Sequence, residues 1–265
     1  MHKKENVNNL RLASLFVLLV GGLVLMSLIV KLIFTVRESH FDGIHKFNLV
    51  ISDNKNLNIV SFSPSNNSFS VLKVYEMLKP EDASKELKIP VDGIIKSKEK
   101  TTEKNVPSVI FNAILPLGNS YQKMTIVDLI RIFIFSRSVS ENSIYVRELF
   151  SDLNGTQKST LIALSFTDPS IYQENQSIEV INSTNLSGLG ARIAEVISNM
   201  GGNVILVSGS SNQENKSKIL YSGNITYTVR KLGQFLNFPV EESDKKGIAD
   251  VIIIIGKDSV GKINF

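Results

Sequence analysis

From Leu12 to Val30 the chain carries no charged residue. The run continues to Phe34 as LASLFVLLVGGLVLMSLIVKLIF, interrupted only by Lys31. A helix of about 20 apolar residues crosses the hydrocarbon core of a bilayer. A helix apolar all round is either buried in a large core or spans a membrane, and the basic cluster beside this one favours the span. A cleaved signal peptide has an apolar core of about 7–15 residues and a small-residue cleavage site, neither of which fits here. The run therefore predicts an uncleaved signal anchor over residues 12–34, with Lys31 snorkelling to the headgroups. Lys3, Lys4 and Arg11 precede it, which places residues 1–11 in the cytoplasm and the rest outside the cell membrane.

This anchor also explains the charge. The 265 residues carry a formal net charge of +4. Residues 1–37 hold five of the basic residues and one acidic one, and the remaining 24 basic and 24 acidic residues cancel. A nucleic-acid surface needs excess Lys and Arg on the folded part, so no nucleic-acid partner is expected. The chain has no cysteine. That excludes disulfides, thiolate metal sites, cysteine nucleophiles and a lipidated cysteine, and it suits an oxidising exterior.

Residues 46–75 alternate β-rich apolar runs with Asp53-Asn54-Lys55 and Pro64-Ser65-Asn66-Asn67, which predicts a β-meander. Glu81 to Asn105 mixes charges of both signs and reads as a solvated loop or helix face. Met124 to Ser136 reads as a buried helix, with Asp128 and Arg131 on one face where they would pair. Thr167 to Ser177 is polar and reads as a linker. Ile178 and Val180 flank Glu179 as in a strand. Asn182-Ser183-Thr184-Asn185 then turns the chain. Leu189, Ile193, Val196, Ile197 and Met200 have helical spacing, Gly201-Gly202 stops the helix, and Val204 to Val207 forms a second strand. Ile219 to Tyr221 reads as a third strand, Ile225 to Phe238 as a helix ended by Pro239, and Ala249 to Ile255 as a central strand buried on both faces. The order βαββαβ predicts an α+β two-layer sandwich with its helices on one face.

The stretch IEVINSTNLSGLGARIAEVISNMGGNVILV resembles the LytR C-terminal domain, found at the end of many bacterial envelope proteins. The family's turn is Asn-Gly-Thr-like and its helix start Gly-Leu-Ala-like. Here these are Asn182-Ser183-Thr184 and Gly188-Leu189-Gly190, so Ser183 and Gly190 depart from the pattern. The resemblance implies such a domain over 177–258. Residues 45–166 more faintly resemble a shortened LytR-CpsA-Psr domain, a family that transfers lipid-linked glycopolymers to the cell wall. That chemistry needs arginines and carboxylates around a pyrophosphate and its metal. No arginine occurs between Arg37 and Arg131, the loop after Ile51 offers only Asp53 and Lys55, and Lys73-Val74-Tyr75-Glu76 contains no Pro-Arg-Asp. The region reads as a small α/β unit, either a shortened, catalytically empty relative of that family or an unrelated α/β segment.

Gly188-Leu189-Gly190 lacks the third glycine of a dinucleotide fingerprint, and no cofactor is expected. Small residues at this helix start are read first as a packing requirement. A helix N-terminus also attracts anions, so Asn182, Thr184, Asn185, Ser187 and Gly188 are the candidate ligand-binding residues. His40, Asp42 and His45 make a poor metal set, and no metal or catalytic residue is assigned. The expected function is a membrane-anchored, extracytoplasmic, non-enzymatic binding or scaffolding protein of the cell envelope. Its expected partners are the membrane and a cell-wall polymer or envelope protein. The alternatives are a diverged glycopolymer phosphotransferase using Arg131, Arg137 or Arg147, and a protein–protein adaptor.

Overall fold

The computed structural model describes residues 2–53, 56–75, 78–243 and 247–260, and for residues 2–11 the backbone alone. Lys55 and Glu76 lie outside the described residues, as do the side chains of Lys3, Lys4 and Arg11.

Helix α1 (His2–Arg37) contains the apolar run. Its stretch Leu12–Arg37 has a mean hydropathy of 2.7 and none of it is buried by the rest of the chain. It is long and apolar enough for a single membrane span. At 1.5 Å per residue, residues 12–34 cover about 34 Å against a hydrocarbon core of about 30 Å.

The first sheet has the order β5-β4-β1-β2-β3-β6. Strands β1 (Phe47–Ser52), β2 (Leu57–Ser63) and β3 (Ser68–Val74) form the antiparallel meander expected from their alternating turns. The second turn closes with Asn67 at φ 44°, a left-handed position that asparagine tolerates. β4 (Gly93–Lys96) joins β1 in parallel, β5 (Ser120–Gln122) is antiparallel to β4, and β6 (Ile144–Leu149) is parallel to β3. Apolar side chains on both pleat faces make this a covered sheet. Leu49, Ile51, Phe62, Phe69 and Val71 pack under α3 (Val106–Ile114) and α4 (Ile126–Ser138). Val50, Ile59, Leu72 and Ile94 pack on the other side with α2 (Ala83–Leu87) and α5 (Gly155–Phe166). Each such buried side chain contributes about 1.5–3 kcal/mol.

Three sequence expectations change here. The charged stretch Glu81–Asn105 is not a solvated loop throughout. It contains α2 and the interior strand β4, whose Ile94 and Ile95 are buried. Asp92 and Lys96 flank only Gly93, Ile94 and Ile95, too short an apolar run to stand out. Helix α4 is buried on one side only. Asp128 and Arg131 meet through the chain leaving α1. Ser39 Oγ and the N–H groups of His40 and Phe41 donate to Asp128 Oδ1 at 2.7, 2.7 and 2.8 Å. Thr125 N and Oγ1 donate to Oδ2 at 2.7 and 2.8 Å. Arg131 Nη1 donates to Ser39 Oγ and to the carbonyl of Phe41 at 3.1 and 3.0 Å. One buried carboxylate thus caps α4 and clamps the exit of α1 onto it. The polar stretch after Thr167 is likewise no free linker. It folds as α6 (Pro169–Glu174), capped by Asp168, whose Oδ1 accepts from Ser170 N at 2.9 Å.

The second sheet has the order β10-β9-β11-β7-β8. β7 (Ser177–Asn182), α7 (Leu189–Asn199), β8 (Asn203–Gly209), β9 (Lys218–Tyr221), α8 (Tyr227–Leu236) and β11 (Val251–Ile255) appear in the expected sequence. The short strand β10 (Val240–Glu242), directly after Pro239, is additional. Both helices cover one face, meeting Ile178, Val180, Ile219, Val251, Ile253 and Ile255. β11 is central, as expected, but not buried on both faces. Val251, Ile253 and Ile255 are buried, whereas Ile252 and Ile254 are only half-buried on the uncovered side. Five consecutive apolar residues conceal which face is covered.

Candidate functional site

The predicted turn residues Asn182, Thr184, Asn185, Ser187 and Gly188 run from the last residue of β7 to the residue before α7, and the side chains of Asn182 and Thr184 fold the turn itself. Asn182 Oδ1 accepts from Thr184 N and Oγ1 at 3.0 and 2.7 Å. Asn182 Nδ2 donates to Leu186 O at 2.8 Å, and Thr184 Oγ1 accepts from Leu186 N at 3.1 Å. Asn185 Oδ1 accepts from Gln213 Nε2. Gly188 sits at φ 79° as the residue before α7, a conformation that favours glycine. A Cβ at Gly190 would lie 3.3 Å from Asn182 Cβ and from Val207 Cγ1. The small residues let α7 pack close to its sheet, and Asn182 and Thr184 bond within the turn, while Asn185 reaches Gln213 outside it.

A second site escaped the sequence reading. The end of β3, the start of β2 and the loop after β4 enclose a pocket of about 190 Å³ lined by Asn56, Asn58, Lys73, Tyr75, Lys100 and Thr101, among others. Asn58 is 2% exposed and Thr101 4%, yet Asn58 Nδ2 and Thr101 Oγ1 have no hydrogen-bond partner among the described residues. Buried polar atoms in folded proteins are nearly always paired, so two orphans lining one pocket point to something that satisfies them. Lys73 pairs with Glu103 at 3.1 Å across the rim. The Glu103 backbone N–H and the Lys73 ammonium hold the Glu103 carboxyl below its ordinary range. Asp53 organises the wall, accepting from Asn56 N at 2.8 Å and from Thr101 N at 3.1 Å. The pocket offers an amide donor, a hydroxyl and ammonium groups, a set suited to a small anionic or hydroxyl-bearing group. The signal in sequence was weak: Thr101 stands inside SKEKTTEKN, where hydrophilicity suggested solvent.

The arginines do not converge. Arg131 lies on α4, on one face of the first sheet, and is engaged with Ser39 and Phe41. Arg147, two residues before Leu149 on β6, shares its pleat face, which packs on the side of the sheet opposite α4. Arg137 is in the last turn of α4. His45 pairs with Asp42 and stacks on Tyr227, ring centroids 3.6 Å apart and planes 9° from parallel. Tyr227 Oη donates to Asp168 Oδ2 at 2.8 Å. Burial first, then the Asp168 carboxylate, pushes the Tyr227 phenol far up, so it stays a neutral donor. Among the described residues no group of three His, Asp or Glu is placed to hold a metal.

The unit after α6 is a two-layer α+β arrangement, a five-stranded mixed sheet with α7 and α8 on one face. Residues 175–258 match the family model described as LytR cell envelope-related transcriptional attenuator, so this part of the chain is similar to a LytR C-terminal domain. No curated protein matches the sequence. Solved structures match over most of the chain but weakly. The candidate transcriptional factor Lmo1026 from Listeria monocytogenes is 10% identical, with 83% of this chain and 94% of that one covered and a TM-score of 0.19. The candidate transcriptional regulator ywtF from Bacillus subtilis is 10% identical, with 85% and 90% covered and a TM-score of 0.19. TagU of B. subtilis is 8% identical, with 83% and 94% covered and a TM-score of 0.17. At these scores the likenesses carry no weight for this chain.

Proposed function

We propose that this protein is a membrane-anchored, extracytoplasmic component of the bacterial cell envelope that binds a wall polymer and does not process it. The match of residues 175–258 to the LytR C-terminal domain carries the reading. Helix α1 supports the anchor, and the basic residues before it support a cytoplasmic N-terminus. The pocket at Asn58 and Thr101 supports ligand binding, because its unpaired donors and neighbouring lysines suit the phosphates and hydroxyls of an envelope polymer. The separation of Arg131 from Arg147 across the first sheet favours binding over phosphoryl transfer.

The test places full-length protein in nanodiscs with isolated sacculi, beside a polyprenyl-pyrophosphate turnover assay with magnesium. Saturable binding without turnover is expected, weakened several-fold by Thr101→Val with Lys73→Met. Turnover would replace this reading with the phosphotransferase one. Neither binding nor turnover would favour a protein–protein adaptor.

A further inference from the structure

Large apolar side chains outside α1 are not scattered evenly. Leu115 and Leu117 after α3 line one surface depression with Ile126 of α4, and the exposed Ile130 and Ile134 continue from Ile126 along that helix. Ile126, Ile130 and Ile134 are spaced i, i+4, i+8, a single stripe about 12 Å long on the side of α4 that faces away from the sheet. Leu117 is 91% exposed at the tip of the loop.

The tip is held in place. Asn119 Nδ2 donates to Val109 O at 3.0 Å, and Asn119 Oδ1 accepts from Lys98 N at 3.0 Å. A Cβ on Gly118 would lie 1.5 Å from the carbonyl oxygen of Asn112, so the tight return depends on glycine. The fold therefore presents Leu115 and Leu117 to the outside on a built loop.

The clamp at Asp128 decides what covers this patch. Ser39, His40 and Phe41 are bonded to the first turn of α4. Phe34, the last residue of the apolar run, is five residues before Ser39. That length of chain, helical to Arg37, spans at most about 12 Å. Wherever the end of α1 meets headgroups, the N-terminal turn of α4 is held within that distance of them. The charge pattern agrees. The exposed side of α4 carries Arg131 and Arg137, its one carboxylate is the buried Asp128, and beside the leucine loop Lys98 Nζ donates to Leu117 O at 2.9 Å, with Glu99 next to it. An apolar stripe edged by Lys and Arg is the composition of a helix lying in a membrane interface.

We propose that the α3–α4 face rests on the bilayer entered by α1, with Leu115, Leu117 and the α4 isoleucines in the headgroup–acyl boundary and the flanking basic residues on lipid phosphates. This rests on the reading that α1 spans a membrane. It makes the head a docked unit of fixed orientation, in place of one swinging on a tether.

The chain contains no cysteine, so single cysteines can be placed without a background. Nitroxides are attached to full-length protein at Leu117→Cys, Ile130→Cys, Val24→Cys and Asn224→Cys, and their relative accessibility to oxygen and to a nickel chelate is read in nanodiscs of mixed anionic and neutral lipid holding one chain each. Labels at 117 and 130 should be lipid-exposed like the one in α1, though shallower, with 224 fully aqueous. The proposal is overturned if 24 is in lipid while 117 and 130 are as aqueous as 224. An aqueous label at 24 would remove the membrane anchor itself and the docking with it. Protection at 117 and 130 that appears only with several chains per disc would show that a second copy covers the patch, and would also overturn the proposal.

Discussion

Lys231 Nζ lies 2.7 Å from Asp92 Oδ1, and each side chain is only 9% exposed. The pair joins α8 of the C-terminal domain to the residue before β4 of the first sheet. Asp92 is also bound to β1: its Oδ2 accepts from Asn48 N at 2.8 Å, and its own N–H donates to Asn48 O at 2.9 Å. A charge supplied by one sheet unit is therefore neutralised by the other.

Lys231→Met should leave a buried carboxylate without its cation and cost about 3–5 kcal/mol. Adding Asp92→Asn removes that charge and keeps an acceptor for Asn48 N–H, so the double variant should regain most of the loss. Denaturant unfolding of the full chain in detergent micelles measures both. Losses that simply add would mean the two side chains do not interact.

The meander, the C-terminal βαβ order and the long apolar helix α1 were legible because each rests on local composition, periodicity and turn residues. What was not legible depends on pairing at a distance. β4 reads as a strand only once it lies beside β1, and Gly93 is followed by just Ile94 and Ile95 between charged neighbours. Asp128 invited a helical i, i+3 pair with Arg131, but its acceptors turn to a segment 87 to 89 residues away. Asp168 looked like a linker residue because nothing local shows that Tyr227 will reach it. Of the candidate site, the turn at 182–188 was placed correctly on the chain. The bonding of Asn182 and Thr184 within it, and the orphaned atoms of Asn58 and Thr101, belong to packing and leave no mark in the sequence.

The Asp128 clamp should respond to acid. Burial raises the affinity of this carboxyl for a proton, but the N–H groups of Phe41 and Thr125 and the hydroxyls of Ser39 and Thr125 together hold it below its ordinary range. A lowered folded value means stabilisation that is fully present above about pH 4 and is lost as the pH falls through the folded value. Asp128→Asn should place an amide against donors and cost about 2–3 kcal/mol at neutral pH. Amide exchange at His40 and Phe41 is the direct readout. Protection there that survives the substitution would show that the exit of α1 is held by other contacts.

Lys46 should behave in the opposite pH range. Its Nζ donates to the carbonyls of Ser165 and Thr167 at 2.6 and 3.0 Å. Burial pulls it from the ordinary 10.5 to about 8, with Asp168 opposing the shift and Arg147 adding to it. Between about 8 and 10.5 the unfolded chain binds this proton and the folded chain does not, so stability from this group rises with pH across that window. Lys46→Met should flatten the rise. A lysine-selective NMR titration with a Lys46 midpoint near 10.5 would rule out the buried cation.

Two glycines separate backbone contact from sequence habit. A Cβ at Gly256 would lie 2.5 Å from the carbonyl carbon of Lys216 and 2.7 Å from Ser217 N. Those are backbone atoms, and they are held in turn: Gly256 N donates to Ser217 Oγ at 2.9 Å, and Ser217 N and Oγ donate to Asp258 Oδ1 at 2.8 and 2.7 Å. Gly256→Ala must push apart the junction that follows β11, for about 1–3 kcal/mol. Gly209, at the end of β8, has nothing within 4 Å of a built Cβ, so Gly209→Ala should stay within about 0.5 kcal/mol of the parent. Thermal unfolding of the two variants in parallel distinguishes them. Equal midpoints would mean that the chain around Ser217 yields to a methyl group, and that Gly256 is not what sets the close approach of these two segments.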